Sequence, residues 1–364
     1  MVECFPQQFL RNGATLKDLE ASFGIRSRRG MVNTNLVSLK YDQIDSPFGT
    51  ELVRQCRGLI LDEDNNWEIV ARPWDKFFNY GEGYAAQIDW KTARVQEKLD
   101  GSCMIMYHYK NKWNVGTLGT PDASGEVSHG TGWCFKELFW WIWDILGYKV
   151  PGPQWHNWTF MFELCTQFNR VVVRHDQARI VFVSARSLDG EDEMIGAEEF
   201  PVKSYRWEAV KEFPIQTLDE VQATFDKLNP LDIEGYVIVD ANLNRIKVKH
   251  PGYVALHHMR GDGYGPRRIL EVIRKGEVAE VLANFPEWTD DFAVMTQRYA
   301  DLIAHLEVEY ARLKDIPLQK AFALEALNTR LSAALFAVRS GKSASIRDFL
   351  TKMNIDSLLV ALEI

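Results

Sequence analysis

The sequence predicts an α+β fold in which a strand-rich region of about 250 residues precedes a helical region. Short runs of Val, Ile, Phe and Tyr, separated by turn residues, recur up to residue 249, a pattern typical of strands joined by turns. After residue 255 the apolar residues recur at helical spacing instead. The change places a boundary near His250-Pro251-Gly252, and we assign residues 1–254 to one domain and 255–364 to a second.

The elements follow from the same patterns. The strands are predicted over the apolar runs 36–39, 59–61, 103–109, 159–164, 180–184 and 236–239. Helices interrupt them over residues 132–147 and 218–228, the second after Thr217, whose hydroxyl suits a helix N-cap. In the second domain, helices are predicted over residues 266–283, 292–314, 318–338 and 345–353.

Composition excludes several classes of protein. With 364 residues, 46% of them hydrophobic, the chain is long enough for two packed domains. A net charge of −8 argues against a protein that coats nucleic acid non-specifically, although local basic clusters such as Arg26, Arg28 and Arg29 remain compatible with RNA as a partner.

Targeting and redox patterns favour a cytoplasmic protein. The five cysteines are odd in number and lack metal-knuckle spacing, which favours a reducing compartment over a disulfide framework. The N-terminus lacks a signal-peptide pattern. The most apolar run, residues 138–146, is too short to cross a bilayer and contains Asp144, so no membrane partner is predicted.

Four short motifs carry the chemistry. Residues 97–102 read EKLDGS and place Lys98 in a Lys-x-Asp-Gly sequence. Residues 162–164 read FEL, and residues 234–237 read EGYV. Residues 246–249 read IKVK, and strand alternation puts Lys247 and Lys249 on one face.

In this order, the motifs resemble those of the covalent nucleotidyltransferases, which include DNA ligases, RNA ligases and mRNA capping enzymes. A closer resemblance, to the T-even phage RNA ligases of the tRNA-repair type (the RNA ligase 1 family), rests on three further segments. They are CRG at residues 56–58, ARPWDKFFN at residues 71–79 and NRVV at residues 169–172. The similarity covers roughly residues 50–255.

The resemblance implies a nucleotidyltransferase domain (an ATP-grasp-like ligase domain) of antiparallel sheets with helices, followed by an all-α domain. It implies an ATP-dependent RNA ligase that seals 5′-phosphate and 3′-hydroxyl ends through lysyl-AMP and RNA-adenylate intermediates. ATP and Mg²⁺ (or Mn²⁺) are the implied cofactors. A nicked tRNA anticodon loop and a polynucleotide kinase-phosphatase are the implied partners, in the host cytoplasm if a phage encodes the chain.

The resemblance also assigns site residues. Lys98 is the nucleophile, with Lys247, Lys249 and Glu234 as the other catalytic groups. Arg57 and Lys76 are assigned to the β- and γ-phosphates. The remaining nucleotide-binding candidates are Glu97, Gly101, Glu163, Arg186 and Tyr253, and the candidate metal ligands are Asp100, Glu163 and Glu234. A structural role is the alternative for Arg186, and core packing is the alternative for Tyr253.

Elementary chemistry explains these residue types. Lysine is a poor nucleophile while protonated, and its reference pKa is about 10.4. Nearby positive charge disfavours the ammonium form, so the paired lysines both activate the nucleophile and clamp the α-phosphate. Glutamate oxygens suit a hydrated Mg²⁺ or the ribose hydroxyls. Positioning and charge stabilisation supply most of the catalysis in phosphoryl-type transfers.

One departure and three alternatives accompany this interpretation. Leu118 stands where many relatives carry a basic residue, which puts a phosphate contact at that position in doubt. A GTP-dependent capping enzyme and a DNA ligase share the lysine chemistry, but both usually continue into a β-rich barrel, whereas residues after 255 are helical. The third alternative, a non-catalytic RNA-binding module, is disfavoured because the whole motif set is intact.

Overall fold

The computed structural model describes residues 3–127, 132–258, 265–284 and 286–363. The chain divides into two compact units, Met1–His257 and His258–Ile364. In the described part of the chain, no helix is long and apolar enough to cross a membrane.

The strands all belong to the first unit. They are β1 (Ile25–Arg29), β2 (Leu36–Tyr41), β3 (Arg57–Asp62), β4 (Glu68–Ala71), β5 (Phe78–Asn79), β6 (Arg94–Lys98), β7 (Ser102–Tyr109), β8 (Lys112–Thr117), β9 (Trp158–Cys165), β10 (Arg179–Ser187), β11 (Glu193–Ile195), β12 (Glu208–Ala209), β13 (Glu212–Phe213), β14 (Gly235–Val239) and β15 (Arg245–Lys249). Each predicted strand lies within one of these elements.

Helices flank the strands and then fill the second unit. They are α1 (Phe5–Arg11), α2 (Leu16–Phe23), α3 (Glu51–Gln55), α4 (Phe135–Ile145), α5 (Gly196–Glu199), α6 (Val202–Tyr205), α7 (Leu218–Phe225), α8 (Pro251–His258), α9 (Pro266–Lys275), α10 (Val278–Asn284), α11 (Thr289–Leu313), α12 (Gln319–Ala326), α13 (Ser332–Arg339), α14 (Ile346–Lys352) and α15 (Ile355–Ala361). As predicted, Thr217 caps α7, accepting from the Glu220 amide.

The strands form three sheets. The first has the order β1-β2-β3-β4 and the second β11-β10-β9-β7-β8, with β12 beside β10. The third has the order β13-β6-β14-β15-β5. The pairing is antiparallel except where β12 meets β10 and β5 meets β15, so the sheets are mixed rather than purely antiparallel.

Each sheet buries apolar residues against a neighbour. The first sheet packs one face on α1 to α3, around Leu39 and Leu59, and the other on β7, around Ile60 and Ile105. The aromatic face of α4, including Phe139 and Trp143, covers the second sheet. Helix α7 covers the third sheet, on which the nucleophile motif lies.

The second unit has its own core. Buried residues of α9, α11, α13 and α14, including Leu270, Leu306, Leu335 and Leu350, form one cluster. Two predicted helices are wrong in extent. The 266–283 segment breaks because Gly276 adopts a left-handed conformation that ends α9, and the 318–338 segment breaks at Leu331, whose φ is 58°. The pattern also missed α1, α2 and α15.

Candidate active site

The third sheet brings the lysine motifs together through strand register. Lys98, the last residue of β6, pairs with Gly235 of β14, and Gly235 pairs in turn with Lys249 of β15. Lys247 pairs with Val237 two positions further along. Because paired residues share a face of a sheet, the register places the three lysines on one surface.

Glu234 binds two of these lysines. Its Oε2 lies 2.6 Å from Nζ of Lys98, and its Oε1 lies 3.2 Å from Nζ of Lys249. Burial raises the pKa of Glu234, but the two ammonium groups outweigh that effect and hold the pKa below its usual value. Glu234 is therefore an ionised link between the nucleophile and the paired-lysine strand.

The two motif glycines are required by close packing. A side chain at Gly235, where φ is +149°, would overlap the Val248 carbonyl oxygen of the neighbouring strand. A side chain at Gly101 would overlap the Leu164 carbonyl oxygen and approach Glu163. Gly101 thus lets the nucleophile motif approach β9, which carries Glu163.

Lys247 is a cation without a carboxylate partner among the described residues. Burial lowers its pKa well below the usual value, and Lys76, Lys249, Lys98 and Arg57 lower it further because they are like charges. The site therefore concentrates positive charge that the described protein groups do not neutralise.

Aromatic rings hold the other two cations. The Arg57 guanidinium lies 5.6 Å from the Trp74 ring centroid and 5.2 Å from that of Phe77. Nζ of Lys76 lies 5.0 Å from the Phe78 ring centroid and close to two further rings. Neither side chain forms an ion pair within the described ranges, and Nη1 of Arg57 is buried without a hydrogen bond there. Rings fix these cations without cancelling their charge.

Glu163 supplies a second carboxyl group. It pairs in register with Cys103 of β7, beside the nucleophile motif. Burial raises its pKa to about 8, and Glu234 adds to the rise, whereas Lys98 and Arg57 oppose it. A buried carboxyl group of raised pKa is one that a bound cation would convert to the ionised form.

The carboxylate of Asp100 accepts hydrogen bonds from protein donors on both of its oxygens. One oxygen accepts from the amides of Val172 and Val173, at 2.8 and 2.7 Å, and the other accepts from the Tyr253 hydroxyl at 3.0 Å. The Nε2 atom of His175 also lies 2.6 Å from the Asp100 carbonyl oxygen. Both carboxylate oxygens thus accept hydrogen bonds from protein donors, which hold Asp100 in position, and its metal role stays a prediction.

Tyr253 contacts both Asp100 and Lys249. Its side chain is 2% exposed, and its hydroxyl donates to Asp100. The ring also lies under Nζ of Lys249, 5.7 Å from the ring centroid. Tyr253 thus lies between the motif at residues 97–102 and the motif at residues 246–249, and it holds the lysine loop, residues 98–101, in position.

Arg186 is committed elsewhere. Its guanidinium donates to the Pro73 carbonyl oxygen at 3.0 Å and pairs with Asp75 at 2.9 Å. These contacts fix the segment that carries Lys76, as the structural alternative expects, and the nucleotide contact of Arg186 stays a prediction. Glu97 differs, because its Oε2 is buried and makes no hydrogen bond to a described residue, which leaves an acceptor available to a ligand.

Two features escaped the sequence analysis. The rings of Trp74 and Phe77 beside Arg57 lie in a segment that was singled out only by resemblance, and His175 carries no local signal at all. Leu118, where a basic residue was expected, is partly buried against the Ile60 and Ile105 cluster. No group of three or more His, Cys, Asp or Glu side chains within the described ranges forms a ready metal cage.

Comparisons with known proteins agree with the motifs. An RNA ligase family model matches residues 55–138, the segment that contains Arg57, Lys76 and Lys98. An RNA ligase of Rhodothermus phage RM378 is 24% identical over 317 residues, covering 70% of this chain and 71% of that protein. A putative bifunctional polynucleotide kinase/RNA ligase of Autographa californica nuclear polyhedrosis virus is 25% identical over 301 residues, covering 77% of this chain but 41% of that longer protein.

A solved structure of an archaeal ATP-dependent RNA ligase covers 80% of this chain and 77% of its own, with 15% identity and a TM-score of 0.48. The mixed sheets and the lysine–glutamate cluster resemble those expected of covalent nucleotidyltransferases. The family match over residues 55–138 and the phage relative show that the chain is similar to RNA ligases.

Proposed function

We propose that the protein is an ATP-dependent RNA ligase that joins a 5′-phosphate to a 3′-hydroxyl end through adenylated Lys98. One observation carries the proposal. Arg57, Lys76 and Lys247 converge on the nucleophile's surroundings without a carboxylate partner in the described part of the chain. A polyphosphate supplies the negative charge that these three cations lack.

In the first step, Nζ of Lys98 attacks the α-phosphorus of ATP. A P–N bond forms, and the bond to the β-phosphate oxygen breaks, so pyrophosphate leaves with the electron pair. The lysine must first lose a proton to solvent, and Glu234, whose Oε2 lies 2.6 Å from Nζ, orients the amine for attack. Arg57 and Lys76 stabilise the charge that develops on the departing pyrophosphate.

In the second step, an oxygen of the RNA 5′-phosphate attacks the same phosphorus and releases Lys98 as an amine. In the third step, the 3′-hydroxyl of the other RNA end attacks the 5′-phosphorus, and AMP leaves. Lys247 and Lys249 line one face of β15 and serve all three steps, because each step develops negative charge on phosphate oxygens.

A divalent cation, Mg²⁺ or Mn²⁺, fits the chemistry of this donor set. Of the three predicted metal ligands, Asp100 accepts hydrogen bonds on both oxygens and Glu234 is ion-paired, which makes Glu163 the strongest candidate to hold the ion. One carboxylate with phosphate oxygens and water is the usual Mg²⁺ environment at nucleotide sites. The bound ion would neutralise phosphate charge.

The name of the baculovirus relative links a polynucleotide kinase to an RNA ligase in one protein. We extend that link to this chain as a proposal. A kinase-phosphatase would prepare the 5′-phosphate and 3′-hydroxyl ends, and a nicked tRNA anticodon loop would be the substrate.

The test is incubation with α-³²P-labelled ATP or GTP and Mg²⁺, followed by denaturing electrophoresis. Label from ATP alone, on protein that also circularises a 5′-phosphorylated RNA, supports the proposal. Label from GTP alone would indicate a capping enzyme, and RNA binding without label would indicate a non-catalytic module.

A further inference from the structure

A row of basic residues crosses the first sheet and ends at the active site. Arg26 of β1 pairs with Lys40 of β2, and Lys40 pairs with Arg57 of β3. Neighbouring strands lie about 4.8 Å apart, so the row extends about 10 Å from Arg57 to the free edge of the sheet. Arg28 lies two residues along β1 from Arg26, on the same face.

The row faces the second sheet rather than the helices. Leu36, Ser38 and Lys40 alternate onto one face of β2. Leu36 packs in the cluster that contains Ile105 of β7, and the Ser38 hydroxyl donates to the Gly119 carbonyl oxygen at 3.3 Å. Ser38 is the last residue on this face of β2 that the loop after β8 covers. Lys40 is the next residue on the same face.

Two members of the row have no partner within the described ranges. Lys40 and Arg28 are exposed and form neither an ion pair nor a side-chain hydrogen bond there. Arg26 differs, because it pairs with Asp42 at 2.5 Å. Lys40 and Arg28 on the surface therefore resemble Arg57 and Lys76 in the site, because none of the four forms an ion pair with a described carboxylate.

We propose that Lys40 and Arg28 bind successive backbone phosphates of the RNA strand that enters the active site past Arg57. The inference rests on the proposed function and adds a subsite to it. Two unpaired cations on one face of adjacent strands, one of them paired in register with Arg57 at the reacting centre, fit a chain of phosphates. Contacts of this kind hold the RNA end in position without reading its sequence.

The experiment uses the full chain and a pre-adenylated, single-stranded oligoribonucleotide. We measure its affinity by fluorescence anisotropy over a range of salt concentrations, and in parallel we measure lysyl-AMP formation from ATP without RNA. Lys40→Ala and Arg28→Ala should each weaken RNA binding roughly tenfold at low salt. The double variant should flatten the slope of log affinity against log salt by about 1.4.

Two control variants test whether RNA binding depends on positive charge at positions 28 and 40 or on positive surface charge elsewhere. Lys112→Ala removes an exposed lysine at the far end of β8 that has no side-chain partner among the described residues, and it should leave affinity and slope unchanged. Lys40→Arg keeps the charge and should restore binding. Melting temperatures check that the exposed substitutions leave the fold intact.

Two results would overturn the inference. Unchanged affinity and slope in the double variant would show that the row does not contact RNA. A parallel loss of lysyl-AMP formation would assign the row to the ATP phosphates instead. Failure of the proposed function itself is distinguishable, because the wild-type protein would then form no lysyl-AMP at all.

Discussion

Two cations on the same strand, the buried Arg245 and the half-buried Lys247, have opposite environments. Arg245 of β15 pairs with Glu193 at 2.5 Å, and both side chains are buried. Lys247, two residues further on and beside the same Phe77 ring, has no carboxylate partner in the described structure. A charge removed from water without a partner is costly, so the first arrangement stabilises the fold, and we propose that an anionic ligand stabilises the second.

The largest effect is expected at the nucleophile. Lys98→Ala should reduce lysyl-AMP formation below detection, because no other amine lies in the Lys-x-Asp-Gly loop. The same variant should still seal pre-adenylated RNA, since that substrate bypasses the lysine. Covalent AMP on the variant would contradict the assignment of Lys98.

The variants Lys247→Met and Arg245→Met test the difference between these two residues of β15. Lys247→Met should lower adenylation by about 10²–10³-fold, yet leave the melting temperature equal or higher, because an unpaired, half-buried charge is removed. Arg245→Met should cost about 3–5 kcal/mol of unfolding free energy, because it leaves Glu193 buried and unpaired.

Denaturant unfolding of both proteins measures the stabilities, and label transfer measures adenylation. If both variants lose stability equally, Lys247 is a structural residue, and the proposed difference between Arg245 and Lys247 is wrong.

Arg57 and Lys76 are expected to act on the leaving pyrophosphate. Arg57→Ala and Lys76→Ala should each slow lysyl-AMP formation by about 10²-fold, and should slow sealing of pre-adenylated RNA by much less. Single-turnover rates of the two steps provide the measurement. Equal losses in both steps would indicate that these cations mainly stabilise the aromatic segment.

The smallest effect concerns pH. The folded pKa of Glu163, about 8, lies above its ordinary value of 4.5, so the native state holds a proton that the unfolded state releases. The contribution of Glu163 to the free energy of unfolding should therefore fall as pH rises from 4.5 to about 8, by at most about 1.4 kcal/mol per pH unit. Glu163→Gln should remove this slope in the protein free of metal and nucleotide. Parallel stability curves for the two proteins between pH 5 and pH 8 would contradict the raised pKa.

The sequence predicted those parts of the site that are local in the chain. The Lys-x-Asp-Gly loop, the Glu-Gly turn and the alternation of IKVK each fit within a few residues, so their roles follow from spacing and resemblance. The partner of a buried polar group is not local. The bonds that occupy Asp100 come from Val172, Val173 and Tyr253, and no short pattern reports them.

The same distinction explains the fold. Strands with continuous apolar runs were found, whereas β5 and β12 are two residues long and depend on pairing with distant strands. Helix breaks were missed where apolar spacing continues across a break, as at Leu331. Strand register, which aligns Lys40 with Arg57, requires the assembled sheet.

The hydrogen bond from Tyr253 to Asp100 closes a loop of 153 residues. The lysine loop is thus complete only when the last segment of the first unit has docked, and closing so long a loop is slow compared with forming local contacts. During synthesis, a chain that ends before Tyr253 carries the nucleophile but not the groups that hold its loop in place. The acquisition of covalent AMP would therefore report on native folding of the first unit, and labelled ATP would serve as a folding probe for nascent chains.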